Sequence, residues 1–389
     1  MAITAACGFE WQELNADAVG LTNGFSLNGT AAYSTAQSRT GTASIRINPG
    51  SGGTGYIAGP LDTYTMFGLY IATLPSVQRL IAGGNSAGNV SLRLNSDGTI
   101  GYYSGVSTLV GTSSALSTGV WYWVGFRQVT GTSVDLFTID GVAAVNGTVT
   151  VSGVITGLGC SLTELSAIDL YFDDIVWDSA GLLSSKKVGL LVPTADSAGG
   201  TGWVLGTGTA LGGNGWIAED NKPPVGVADL TAGSDTKQIR NATASANSNY
   251  DATMTTYTAA GINASDTVDA VFPVVATAAP VSTNAKQGTV GVSSNPVITN
   301  IALGVGGTSG AFWAGSAGGT YPTGWKISKG TLTLAPSVTI GTAPVMRITQ
   351  VTSSTRIAVV CAMGIVVVWT PVVVARVPYS TPYPQLLAH

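Results

Sequence analysis

The chain has 389 residues and a formal net charge of −4, with charged residues at 9% of the total against about 25% in an average soluble protein. That scarcity, together with 52 glycines and abundant Ser, Thr and Ala, argues against a helical protein and for many short strands joined by tight turns. No basic run exists to neutralise phosphates, so nucleic-acid binding is not expected. Low charge also suits a chain packed against copies of itself or other subunits, where charges would have to be desolvated.

Taken in order, residues Met1 to Asn28 read as a first strand, with Phe9 and Trp11, followed by a loop. The start lacks the basic region and apolar core of a secretory signal, so release into a cytoplasm is expected. Tyr64 to Leu74 reads as a strand with Phe67, Leu69 and Ile71 on one face and Met66 and Tyr70 on the other. Val90, Leu92 and Leu94 alternate with Ser91 and Arg93, Ser96-Asp97-Gly98 supplies a turn, and Thr99 to Tyr103 returns as the second arm of a hairpin. Trp121 to Gln128, the turn Thr130-Gly131-Thr132, Val134 to Ile139 and a second Asp-Gly at Asp140-Gly141 repeat that grammar. In the closing segment Ile168, Leu170 and Phe172 alternate with Asp169, Tyr171 and Asp173. The phase then breaks at Asp173-Asp174 and resumes with Ile175 and Trp177, the signature of a bulge.

Four of these pieces, Thr42–Ile47, Ser91–Ile100, Gly119–Val124 and Phe172–Trp177, resemble the concanavalin A-like, laminin-G-like jelly-roll modules, and most of all those in virion structural proteins of tailed bacteriophages. The resemblance implies a mostly β protein with a jelly-roll β-sandwich over residues 1–180. It also implies a non-enzymatic, surface-exposed virion protein: a minor tail or fibre component contributing to host-surface adhesion, or alternatively a capsid decoration protein. Other virion subunits and further copies of the chain, as a trimer, are the expected partners, with a host-surface glycan as a further candidate. A reading from another class is a carbohydrate-binding, lectin-like module.

Ser179 to Lys187 reads as a hinge, and residues 188–389 as a second, β-rich domain for anchoring or oligomerisation. It opens with the strand Val188–Pro193 and a glycine-rich loop, Ser197–Gly215, flanked by Trp216 and containing Trp203. One short helix is predicted from a cap at Ser248 or Asn249 to Gly261, with Tyr250, Met254 and Tyr257 at i, i+4 and i+7. Strands are then expected over Thr267–Val275, Gly288–Ser293, Val297–Gly304, Thr331–Leu334 and Val345–Val351. Ile357 to Ala375 carries no charge and approaches the length of about 20 residues that a membrane-spanning helix needs. Its Val triplets, Gly364 and Pro371 instead favour two or three buried strands. Pro378 to His389 reads as an extended, proline-rich arm.

Catalysis finds little to work with. The single histidine is His389, which leaves no imidazole for a Ser/His/Asp or Cys/His set. The four glutamates, Glu10, Glu13, Glu164 and Glu219, do not alternate along one strand as paired-carboxylate glycosidases require. Cys7, Cys160 and Cys361 have neither disulfide nor metal-ligand spacing, and small buried hydrophobes are the expectation. No cofactor is expected. Asp173 and Asp174 are the candidate calcium ligands, weighed against a role as acceptors of backbone N–H bonds at a bulge. Tyr102, Tyr103, Trp121 and Trp123 are the candidate glycan platform, since aromatic rings beside amides or carboxylates bind sugars, weighed against their alternation along the strands, which would place some of them in the core.

Overall fold

The computed structural model describes residues 3–9, 26–50, 53–58, 64–84, 87–151, 157–160, 166–199, 203–205, 239–241, 248–278, 288–294, 297–302, 326–329, 343–350 and 359–372. Every regular element among them is a strand, and every pairing between strands is antiparallel. The first sheet runs β13 (Val142–Val149), β12 (Gly131–Ile139), β11 (Trp121–Arg127), β6 (Tyr64–Thr73), β15 (Asp169–Asp178), β4 (Ser44–Ile47), β3 (Ala31–Ser34). β1 (Ile3–Cys7) shares the β4 side of β15, pairing with its last turn of sequence, Ile175 to Asp178. The second sheet runs β10 (Thr108–Thr112), β9 (Ile100–Ser104), β8 (Val90–Leu94), β7 (Arg79–Gly83), β14 (Leu158–Cys160), β5 (Gly55–Ala58), β2 (Ser26–Gly29). The chain passes repeatedly from one sheet to the other, which is the jelly-roll path.

The core between these sheets follows from the period of two. Ile45, Ile47, Phe67, Leu69, Ile71, Leu170 and Phe172 point inward from the first sheet, and Ile81, Leu92, Leu94, Ile100 and Tyr102 from the second. Cys7 belongs to the same core. The Asp140-Gly141 turn holds both residues at positive φ, 51° and 79°, the primed-turn geometry that suits a tight hairpin. The Asp140 carboxylate also accepts the Trp123 N–H at 2.8 Å.

A third sheet runs β18 (Trp203–Leu205), β19 (Ile239–Asn241), β26 (Val359–Thr370), β21 (Thr267–Ala278), β24 (Lys326–Lys329), with β16 (Lys187–Leu191) also on β26. The fourth runs β17 (Pro193–Gly199), β20 (Ser248–Met254), β25 (Val345–Gln350), β22 (Gly288–Ser294), β23 (Val297–Ala302). The third sheet lies against the outer face of the first. Val188, Ala270, Phe272 and Val368 pack there on Ile3, Ala6, Met66, Trp123 and Val176. The residues of opposite parity, Val271, Ile365, Val367 and Trp369, are buried as well.

Three expectations are corrected. The helix over 248–261 is absent: Ser248–Met254 is a strand and 257–261 a turn. Tyr250, Ala252 and Met254 are all fully buried, so the true period is two, hidden because Ala252 is too small to stand out as apolar. Among its described residues the uncharged run contains one strand of twelve residues, β26, not two or three. Over residues 365–369 it is apolar because side chains of both parities are covered. No helix among the described residues is long and apolar enough to cross a membrane. Finally, Ser179–Lys187 is a fastened connection, not a hinge. Asp178 accepts the Ala180 and Gly181 N–H groups at 2.6 and 3.0 Å. The Leu183 carbonyl accepts Trp123 Nε1–H at 3.1 Å, and Lys186 is buried with Nζ 3.0 Å from Asp269. Trp11, Trp216, Thr331–Leu334 and the Pro378–His389 arm lie outside the described residues, and the expected loop at 197–215 contributes to strands β17 and β18 where it is described.

Candidate functional site

The outer face of the first sheet carries its side chains in rows that cross the strands. One row is set by direct cross-strand pairing: Trp121 opposite Tyr70, Tyr70 opposite Tyr171, Tyr171 opposite Arg46. The Trp121 and Tyr70 rings are 5.4 Å apart at 50°, and Tyr70 and Tyr171 are 5.7 Å apart edge to face. Such pairs are the unit by which a sheet face holds its shape. Trp121 and Tyr70 are half-buried, leaving part of each ring open. Tyr171 is nearly covered, and burial, then the Asp169 charge, pushes its hydroxyl pKa up. At the end of the row Arg46 forks onto Asp169, Nε to Oδ1 at 2.9 Å and Nη2 to Oδ2 at 2.8 Å, with the guanidinium 5.7 Å from the Tyr171 ring centre.

The adjacent row holds Trp123, Gly68 and Asp173, and here the surface is closed. Arg39 lies across Gly68, where a Cβ would come within 2.7 Å of Arg39 Cδ; only glycine leaves that room. Its guanidinium sits 4.9 Å from the Trp123 ring centre and donates to Asp174, Ser185 Oγ and the Lys186 carbonyl. Arg39 thus joins the sandwich to the segment leading into the third sheet.

The candidate calcium ligands are part of this closure. The pairing of β15 slips between Asp173 and Val176, and Asp174 takes φ 50°, so the phase break is a bulge. Asp173 Oδ2 accepts Arg39 N–H at 2.7 Å and Thr40 N–H at 3.1 Å, and its Oδ1 accepts Asp174 N–H at 2.7 Å. Asp174 Oδ1 accepts Val188 N–H at 2.7 Å, and Oδ2 accepts the Thr40 hydroxyl at 2.9 Å and Arg39. Donors point at all four oxygens, the arrangement of the alternative role as acceptors of N–H and O–H bonds at a bulge. No cluster of three or more metal-ligating side chains occurs among the described residues. Burial, then the neighbouring Asp174, pushes the Asp173 carboxyl well above the usual carboxylate range. Burial also raises Asp174, against the pull of Arg39.

The expected platform of Tyr102, Tyr103, Trp121 and Trp123 is divided. The chain changes sheets between β10 and β11, so the two tyrosines lie on the second sheet and the two tryptophans on the first. Tyr102 is a core residue whose hydroxyl donates to the Arg127 carbonyl at 2.8 Å. Tyr103 lies over Gly101, with Arg93 stacked 4.2 Å from its ring centre and Gln78 Nε2 donating to its hydroxyl at 2.7 Å. Trp123 is buried under the third sheet. Only Trp121 joins the open row. Alternation places Tyr70, Asp169 and Tyr171 on the face opposite the core, but it carries no sign that they meet Trp121 and Arg46 there; the strand register brings them together.

No family model and no curated protein matches the sequence. Among solved structures, the sialidase of Trypanosoma rangeli in complex with sialic acid is similar at 17% identity and TM-score 0.31, over 44% of this chain and 32% of the sialidase. This chain therefore spans about a third of that protein. Domain 4 of AbnA, a GH43 extracellular arabinanase from Geobacillus stearothermophilus in complex with arabinotriose, is similar at 16% identity and TM-score 0.28, over 46% of this chain and 95% of that one. The CBM22 tandem domain of Paenibacillus barcinonensis Xyn10C is similar at 8% identity and TM-score 0.22, over 94% and 97% of the two chains. All three scores are low, and no residue role is carried across from them.

Proposed function

We propose that this protein binds glycan without cleaving it, on the row formed by Trp121, Tyr70, Tyr171 and the Arg46–Asp169 pair. The observation that carries the reading is the combination of partly open aromatic rings with a bidentate ionic pair, side by side on a rigid sheet face. Aromatic faces take the C–H side of a sugar ring, and a small number of fixed polar groups orients its hydroxyls. Asp173 and Asp174, the acidic pair nearest the row, are buried with their oxygens engaged, which supports binding over hydrolysis. Titration of an oligosaccharide panel by calorimetry tests this. Trp121→Ala and Tyr70→Ala should each weaken binding about tenfold or more, as aromatic anchors do, with the urea midpoint retained. Equal affinity for the variants and the parent protein would reject the row as the site.

A virion location is a second reading, favoured by the resemblance of Ser44–Asp178 to tailed-phage modules. A glycan-binding sandwich of this kind would serve first contact with a host envelope. Antibody against residues 1–180 applied to intact particles should label the tail in that case, the head if the protein decorates a capsid, and neither if it is a free module.

A further inference from the structure

We infer that the row selects neutral sugars bearing adjacent hydroxyls and rejects acidic ones, and that the Arg46–Asp169 pair makes the choice; this rests on the glycan reading above. Recognition of a uronate or sialate carboxylate calls for a cation whose charge is not already matched, and arginine does this through its paired N–H groups. Here the guanidinium of the row already grips a carboxylate with both prongs, at 2.9 and 2.8 Å. The carboxylate is that of Asp169. It stands two residues before Tyr171 on the same strand and face, while Arg46 is the direct cross-strand partner of Tyr171. Among the described residues the adjacent row holds one further cation, Arg39, which is matched by Asp174 through one N–H group and also donates to Ser185 and the Lys186 carbonyl; its side chain is 12% exposed. An acidic sugar on the rings would therefore meet no net positive charge.

The pair is not inert towards a neutral sugar. The Arg46 side chain is 41% exposed and that of Asp169 15%, so the polar end of the row reaches solvent. A carboxylate can accept about four hydrogen bonds, and two neighbouring hydroxyls, each donor and acceptor, match a guanidinium and a carboxylate lying side by side.

Calorimetry on the full chain should use three probes at equal chain length: a neutral hexose oligomer, a neutral pentose oligomer and an oligogalacturonate, with sialyllactose as a second acid. The parent protein should bind a neutral probe at least tenfold more tightly than either acid. Asp169→Asn should lose about tenfold on the neutral probe and gain measurable affinity for the acids, a gain that added salt erases. Arg46→Gln should lose the neutral probe and gain nothing, with urea midpoints showing that both variants fold. Acid binding by the parent protein that matches or exceeds neutral binding overturns the inference, as does an unchanged preference in Asp169→Asn. If Trp121→Ala still abolishes binding in that case, the glycan reading stands and only the selectivity is wrong. If no probe binds the parent protein, both fall.

Discussion

Trp121 and Trp123 stand two residues apart on one strand and one sheet face, yet one borders solvent and the other is sealed. The difference lies in what covers them. Over Trp123, Met66 and Val176 the third sheet packs Val188, Ala270, Phe272 and Val368, and the border is drawn by Arg39 crossing Gly68. Beyond that border the same face continues as Trp121, Tyr70 and Tyr171, which are not part of the cluster that the third sheet builds among the described residues. An aromatic row on an outer sheet face is thus neither core nor site by its own chemistry. The neighbouring layer decides, and on this molecule it stops one row short.

The largest effect should come from treating the two tryptophans alike. Trp123→Ala empties a packed junction and should cost about 3–5 kcal/mol, whereas Trp121→Ala should stay within about 1 kcal/mol. Urea unfolding of both variants checks this, with the slope against urea compared so that a loosened junction is told apart from a global loss. Equal costs would mean that the border between the covered and open rows does not exist in solution.

Much of this was legible in the residues. Period two set the inward faces of β6, β8 and β15, and Asp-Gly marked the hairpins. The slip at Asp173-Asp174 marked the bulge, because a strand buried on both faces still has to change phase when one residue is inserted. The platform was not legible, since alternation tells which side chains share a face but not which sheet a strand joins or what lies over it. Alternation alone puts some of the four aromatics in the core, but which ones, Tyr102 and Trp123, follows only from the crossing between β10 and β11 and from the third sheet. The helix over 248–261 failed for a local reason: Tyr250, Met254 and Tyr257 fit a helical spacing, and Ala252 was too slight a signal to show that they alternate.

A smaller effect is expected at the border itself. Gly68→Ala places a methyl 2.7 Å from Arg39 Cδ. The side chain could swing aside were it not held by Asp174, Ser185 and the Lys186 carbonyl. Overpacking of this kind should cost about 1–3 kcal/mol and lift the guanidinium from the Trp123 ring, which near-ultraviolet circular dichroism would register. An unperturbed spectrum would show that Arg39 is not the fastening described above.

The smallest effect is in pH, and it comes from the buried acids of the closed row. Asp173 and Asp174 are buried, and burial shifts both upward in the folded protein. Between the unfolded carboxylate value of about 3.9 and the raised folded values, the native protein holds a proton that the unfolded chain has released. Stability from this pair is therefore fully present below the unfolded value and is lost as pH rises through the folded ones. Groups facing the pair sharpen the case: Arg39 lies on Asp174, Thr40 bonds both, and the Lys186–Asp269 pair stands at the other end of the same connection. Urea midpoints measured from pH 4 upward should fall with pH, and Asp173→Asn should give a lower but flatter line. Because the open row contains none of these buried acids, the Trp121→Ala variant should keep the parental slope, while Trp123→Ala, which lets water into the junction, should lose most of it.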